Sequence, residues 1–422
     1  MSEWVSHKLG ELVTFQKGKK VETSAERLSG YRPYLGAGSL TGKNDGFAST
    51  LGSVQANATD VLMLWDGERS GLVGHRLGGV VSSTVTKLTP HGHIFPDYLY
   101  YFLCNNFEWI QNRRTGTGVP HVPKDLARIL IIRHPKKSVV QEKIATILQT
   151  VDQAIENTEV LIEKYGQIKA GMMHDLFTRG LTPDGKLRPP RDQAPELYKE
   201  TPVGWIPKEW GCEDLATLLA PVPNNLRSGP FGSALLKAEL VEDGVPFLGI
   251  DNIHVEKFVA IYRRFVSEKK FSELFKYAVR PKDVVITIMG TVGRCAVVPD
   301  EVGRALSSKH LWTMTFDQNS VIPELICWQL NFSSWVKTWF RRETQGGIMD
   351  AIQSKTLKTL KLPIPPMVEQ SLILDRYVAL SATTRREIDK LAKLKLQKSG
   401  LMHDLLTGKV AVKVDEPEAA HV

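Results

Sequence analysis

The chain has 422 residues, 42% of them hydrophobic and 24% charged, and lysine plus arginine exceed the acids by 54 to 46 for a net charge of +8. This describes a soluble globular protein of roughly two to four domains, with no apolar run near the ~20 residues that cross a bilayer. The start, Met1-Ser2-Glu3-Trp4, lacks the basic residues and apolar core of a secretion signal, so a cytoplasmic protein is expected. The basic balance is compatible with a nucleic-acid partner but does not by itself require one. Cys104, Cys212, Cys295 and Cys327 lie far apart with no C-x-x-C pair, which excludes zinc-ribbon and thioredoxin-type sites and suits idle thiols in a reducing compartment.

From the N-terminus, short β-rich runs such as Val61-Leu62-Met63-Leu64-Trp65 alternate with Gly, Asn and Asp turns, and residues 97–111 have a helical pattern. Lys17, Lys19 and Lys20 follow the first strand, and Arg113 and Arg114 precede Thr115-Gly116-Thr117, with His121 just beyond. Then Ile144, Leu148, Val151, Ile155, Thr158, Ile162, Tyr165, Met172 and Leu176 recur in steps of four and three, with Lys169 as a polar break. A stripe of period 3.5 keeps one face toward a partner helix, so a long coiled-coil helix is predicted, stopping at Gly180. Six prolines between residues 182 and 210 restrict φ and predict an extended linker.

A second globular part follows, with a strand at Val284-Val285-Ile286-Thr287-Ile288 and a helix over residues 324–341. Its basic and polar clusters are Arg227-Ser228, Asp251-Asn252, Arg294, Lys309-His310, and Arg341-Arg342 before Thr344-Gln345. A second heptad stripe, Ile373, Tyr377, Leu380, Thr384, Leu391, Leu394, Leu401 and Leu405, is broken at Glu387 and Lys398 and stops at Gly408. The tail from Val414 is acidic and short.

The two halves repeat. Gly171-Met172-Met173-His174-Asp175-Leu176 returns as Gly400-Leu401-Met402-His403-Asp404-Leu405, and Val139-x-Gln141 aligns without a gap on Val368-x-Gln370. Upstream, Pro33-Tyr34-Leu35-Gly36 resembles Pro246-Phe247-Leu248-Gly249, and Asp60-Val61-Leu62 resembles Asp283-Val284-Val285. Ser82-Ser83 likewise resembles Ser307-Ser308. The expected organisation is therefore a globular α+β domain over 1–138, a long helix over 139–180, a linker over 181–209, a second globular domain over 210–366, a second long helix over 367–409 and a tail over 410–422. Two equal helices with polar breaks at matching places most economically pack antiparallel, related by a pseudo-two-fold axis, and hold the globular parts apart as a ruler of about 60 Å.

No catalytic fingerprint is present. There is no G-x-S-x-G, H-E-x-x-H, Walker lysine or dinucleotide-binding glycine motif, and Gly290-Thr291-Val292-Gly293-Arg294 completes neither a P-loop nor G-x-G-x-x-G and reads as a tight turn. An amino-methyltransferase would need an N-P-P-aromatic or D-P-P-Y stretch, and Leu362-Pro363-Ile364-Pro365-Pro366 is neither. His174-Asp175 and His403-Asp404 read as helix-end pairs without a third catalytic partner. The chain is therefore expected to bind without catalysing. Arginines beside glycine-flanked polar loops suit duplex DNA, because guanidinium and backbone N–H groups meet phosphates while Gln, Thr or His reach base edges. The expected contacts in the first domain are Lys17, Lys19, Lys20, Arg113, Arg114, Thr115, Thr117 and His121. In the second they are Arg227, Ser228, Asp251, Asn252, Arg294, Lys309, His310, Arg341, Arg342 and Gln345.

The whole chain resembles the specificity subunits of type I restriction-modification systems. The residues that carry the likeness are Trp4-x-x-x-Lys8-Leu9-Gly10-Glu11-Leu12, Gly204-Trp205-Ile206-Pro207-x-x-Trp210, Pro246-Phe247-Leu248-Gly249-x-Asp251-Asn252-Ile253, Gly290-Thr291-Val292-Gly293-Arg294 and Leu362-Pro363-x-Pro365-Pro366-x-x-Glu369-Gln370. The first copy departs: His134-Pro135-Lys136-Lys137 replaces the proline-rich approach to Gln141, and no G-T-V-G-R is present. The resemblance implies two tandem target recognition domains, each reading one half of an asymmetric split site in double-stranded DNA, with the helices fixing the unread spacer. It also implies docking of two modification subunits, which carry S-adenosylmethionine and methylate adenine, and of motor-nuclease restriction subunits. The specificity chain itself would hold no cofactor and no metal. The alternative is a duplicated protein–protein scaffold without DNA specificity, which would bind its partners insensitively to salt.

Overall fold

A computed structural model describes residues 3–116, 118–290, 292–343 and 352–413. The chain forms two compact units, one built from the segment up to Ile162 together with the segment from Glu387, the other from Glu163–Arg386. Each unit thus holds one globular part, the beginning of that copy's long helix and the end of the other copy's.

In the first unit a four-stranded antiparallel sheet runs in the order Val13–Lys17, Val85–Pro90, Val61–Leu64, Val73–His75. All four residues of Val61–Leu64 are buried, so this apolar run is an interior strand covered on both faces. A five-stranded sheet includes Tyr31–Leu35 parallel to Gly79–Val81. Trp4–Lys8 pairs with Ile131–Pro135, the strand that leads into the first long helix.

The second unit repeats this plan. Leu226–Ser228, Leu311–Met314, Val284–Thr287 and Cys295–Val297 form an antiparallel sheet in the equivalent order, Val245–Leu248 lies parallel to Leu306–Ser307, and Gly211–Asp214 pairs with Lys361–Ile364. The helix expected over 97–111 is two helices, Pro96–Asn105 and Phe107–Gln111, because Asn106 leaves helical geometry and turns its amide onto the Phe102 carbonyl. The helix expected over 324–341 likewise divides into Pro323–Phe332 and Ser334–Glu343 at Ser333, whose ψ is 133°.

Two buried polar devices are built twice. Asp60 accepts the Asn57 amide at 2.8 Å and the Thr89 hydroxyl at 2.6 Å; Asp283 accepts the Arg280 amide at 2.7 Å and the Thr315 hydroxyl at 2.6 Å. Gln141 accepts the Phe95 amide (2.7 Å) and donates to the carbonyls of His93 and Pro135; Gln370 accepts the Ile322 amide (2.8 Å) and donates to those of Ser320 and Pro365. Each glutamine, fully buried, ties the start of a long helix to the approach of the proline-led helix in its own domain.

The long helices span Ser138–Thr178 and Met367–Leu406. Within the first unit, Lys395 pairs with Glu159 at 2.7 Å and Lys398 with Asp152 at 2.5 Å, so rising numbers on one helix meet falling numbers on the other. Within the second unit Glu369 accepts the Leu181 amide at 2.7 Å, while Tyr377 lies under the Lys169 ammonium at 4.4 Å. Both sets of contacts are antiparallel. The polar breaks have partners of different kinds: Lys398 answers Asp152 on the other helix, Lys169 reaches Glu256 at 2.8 Å, and Glu387 meets Lys390 of its own helix at 3.5 Å.

The stretch expected as an extended linker is folded. Leu181 and Leu187 form a β-bridge, and Tyr198–Thr201 pairs with Gly204–Pro207 as a hairpin. Tyr198, Ile206 and Trp210 are buried. Arg188 forks onto both oxygens of Glu369 at 2.6 and 2.9 Å, and the Trp210 indole N–H donates to the same carboxylate at 3.1 Å. Proline restricts φ but leaves alternate residues free to bury, and here the aromatic and apolar ones do.

Candidate nucleic-acid interface

In the first domain two predicted groups converge on a carboxylate that motif reading does not single out. Asp66 lies just past the strand Val61–Leu64; Lys17, the last residue of the same sheet's edge strand, pairs with it at 2.8 Å, and His121 Nδ1 meets its other oxygen at 2.7 Å. His121 is held by a two-way backbone bridge to Thr115, at 2.8 and 3.0 Å, which fixes the tip of the Arg-Arg loop against this corner. Arg114 donates to the carbonyls of Glu68 and Gln111, while Arg113 stacks 3.9 Å over the Trp109 ring. Thr115, Lys19, Lys20 and Arg113 are exposed. Partial burial works against ionisation of Asp66, but the hydrogen bonds from Lys17 and His121 outweigh it and hold its pKa below the usual aspartate value. Thr117 lies outside the described residues.

In the second domain the structure corrects three expected contacts. Arg227 is 5% exposed: it pairs with buried Asp283 and donates to the carbonyls of Ala278 and Asn224, so its guanidinium is consumed inside the domain. Burial is also the main force lowering its pKa. Ser228 is buried and donates to the Lys309 carbonyl. Asn252, 1% exposed, accepts the Gly249 amide and donates to the carbonyls of Val259 and Ile261, closing a turn and leaving none of its amide for a base.

Asp251 is the ion-pair partner of Arg264, a residue the motifs did not mark. Lys309 is exposed and His310 half-buried, and both face Arg264 across a cavity. Burial, then the neighbouring charges of Lys309 and Arg264, push the His310 pKa down. Arg294 is half-buried, its backbone tied to Thr287. Arg341 and Arg342 lie exposed in the last turn of Ser334–Glu343, where Arg342 meets Glu343 at 3.1 Å. Gln345 lies outside the described residues.

A paired glycine is the signal that sequence reading passed over. A Cβ on Gly18 would come 2.1 Å from the Ser82 carbonyl oxygen, and one on Gly229 would come 2.0 Å from that of Ser307. Only glycine lets this edge strand of each four-stranded sheet turn over the Ser-Ser loop, and the turn follows Lys17 in the first domain and places Ser228 under Lys309 in the second. Among the described residues no cluster of His, Cys, Asp or Glu could hold a metal ion, and no helix is long and apolar enough to cross a membrane.

The model of the type I restriction modification DNA specificity domain matches twice, over residues 1–164 and 232–396. The chain belongs to this specificity-domain family. Among curated members of the specificity subunits, that of the type I restriction enzyme MjaVIII from Methanocaldococcus jannaschii is 26% identical over 97% of this chain and 94% of its own length. Among solved structures, the type I restriction-modification S subunit from M. genitalium superposes with a TM-score of 0.59 at 16% identity, covering 96% of each chain. A chain solved in a study of assembly and conformational transition of the type I system gives 0.56 at 16% identity, covering 96% of this chain and 98% of that one. The duplicated α+β architecture with its two long helices is thus the fold of the specificity subunits along the whole chain.

Proposed function

We propose that the chain is the DNA-recognition subunit of a type I restriction-modification complex and itself performs no catalysis. Each globular domain reads one half of an asymmetric split site in duplex DNA. Lysine and arginine dock on phosphates, and loop side chains then address the major groove. The paired helices set the unread spacer and offer the docking surface for two modification subunits, which supply S-adenosylmethionine and methylate adenine; restriction subunits join them in a cytoplasmic complex. Extrusion of the target base and methyl transfer belong to those partners.

The observation that supports this reading most is the twofold family match, each copy joined to its own long helix while the two recognition domains differ in sequence. The reading is tested by substituting Arg341 and Arg342 together with alanine in the chain assembled with its modification partner. Duplex affinity should fall, and the slope of log affinity on log salt should flatten by roughly two. An unchanged slope would remove this patch from the interface, and salt-insensitive partner binding with no duplex preference would favour the scaffold.

A further inference from the structure

Beside the Ser-Ser loop of the second domain lies a cavity of about 240 Å³, its polar side lined by Lys237, Arg264, Ser308 and Lys309. Its polar wall is built from donors. Lys237 and Lys309 are exposed at its edge, and Arg264 reaches it half-buried. The one carboxylate paired with these groups, Asp251, is already engaged by Arg264. Two further donors have no partner among the described residues: the Arg264 Nε–H and the hydroxyl of Ser308, a residue only 5% exposed.

The guanidinium is placed, not merely present. Asp251 grips it from one side, and a Cβ on Gly249 would lie 2.3 Å from its Nη2 nitrogen, so a side chain there would push the guanidinium aside. This is the Pro246-Phe247-Leu248-Gly249-x-Asp251 segment of the sequence, whose glycine and aspartate serve Arg264. Opposite, Leu235, Leu240 and Phe247 offer apolar surface suited to the face of a sugar.

We infer that this cavity seats one phosphate of the DNA backbone, held by Arg264, Lys309 and Lys237, and that Asp251 and Gly249 act by positioning Arg264. The inference rests on the DNA-recognition reading and adds to it a phosphate seat centred on a residue outside the expected contacts. A phosphate suits the site better than a base edge does, because one arginine and two lysines can share its anionic oxygens, whereas even a guanine edge offers only two neutral acceptors, N7 and O6.

The test uses the chain assembled with its modification partner and compares wild type with Arg264→Ala, Arg264→Lys and the double variant Lys237→Ala, Lys309→Ala. Arg264→Ala should weaken duplex binding roughly tenfold at about 0.1 M salt, and both it and the double variant should flatten the salt slope by at most about one, the share of a single phosphate. Arg264→Lys should restore the slope and only part of the affinity, since an ammonium cannot fork onto a phosphate. The methylated motif should stay the same in every variant, because a phosphate contact carries no base identity. Inorganic phosphate should compete with duplex for the wild type more strongly than chloride of equal ionic strength and lose that advantage in Arg264→Ala. Should Arg264→Ala prove too unstable to assemble, the double variant at two exposed positions decides the matter. Unchanged affinity and slope, or a motif relaxed at one base position, would overturn the phosphate seat while leaving DNA recognition standing. A wild-type complex indifferent to duplex would defeat the underlying reading as well.

Discussion

Asp66 gathers Lys17 and His121 onto one carboxylate, and its protonation decides whether that corner of the first domain holds. Because its folded pKa lies below the ordinary 3.8, the folded state binds fewer protons there than the unfolded chain. The stabilisation is therefore complete above that ordinary value and drains away as pH falls through the folded one. Asp66→Asn should flatten the acid limb of the stability profile, measured by denaturant unfolding from about pH 5 down to about pH 2; parallel curves for the two proteins would contradict it. The same scale shows why part of the site was hidden from sequence. Arg227-Ser228-Gly229 has the look of a presenting loop, but the acid that consumes Arg227 lies 56 residues away, and nothing local announces it. Arg264 was missed for the converse reason: it sits in no motif, and its importance comes from Gly249 and Asp251, which did stand out.

Among the elements, the long helices were the most legible, because a 3.5-residue stripe is a local pattern that survives into the fold, polar breaks included. Lys169 and Lys398 interrupt equivalent positions but meet acids of different origin, Glu256 from a recognition domain and Asp152 from the partner helix. Only coordinates could reveal that difference. The linker was misread because a proline count reports on φ and says nothing about which neighbours bury. What the repeat could not explain is why a glutamine stands at both helix starts. Gln370→Leu keeps the volume but leaves the Ile322 amide and the Ser320 and Pro365 carbonyls unpaired. It should cost the second unit about 2–4 kcal/mol in chemical unfolding. A loss under about 0.5 kcal/mol would show that water replaces the side chain.

At the scale of the molecule, the duplication makes each unit depend on both copies, since each contains the end of the other copy's helix. If the antiparallel pair sets the spacer, adding one heptad to both helices at matched positions lengthens it by about 10 Å, or about three base pairs. The methylated motif should then keep both half-sites and gain about three unread positions; an unchanged gap would detach the helices from the measurement. The most direct test of the central claim is to map methylated adenines in cells that make this chain with its modification partner. Two unlike readers predict one split motif with different half-sites and one methylated adenine on each strand. A continuous or palindromic motif, or no methylation that depends on this chain, would contradict the account.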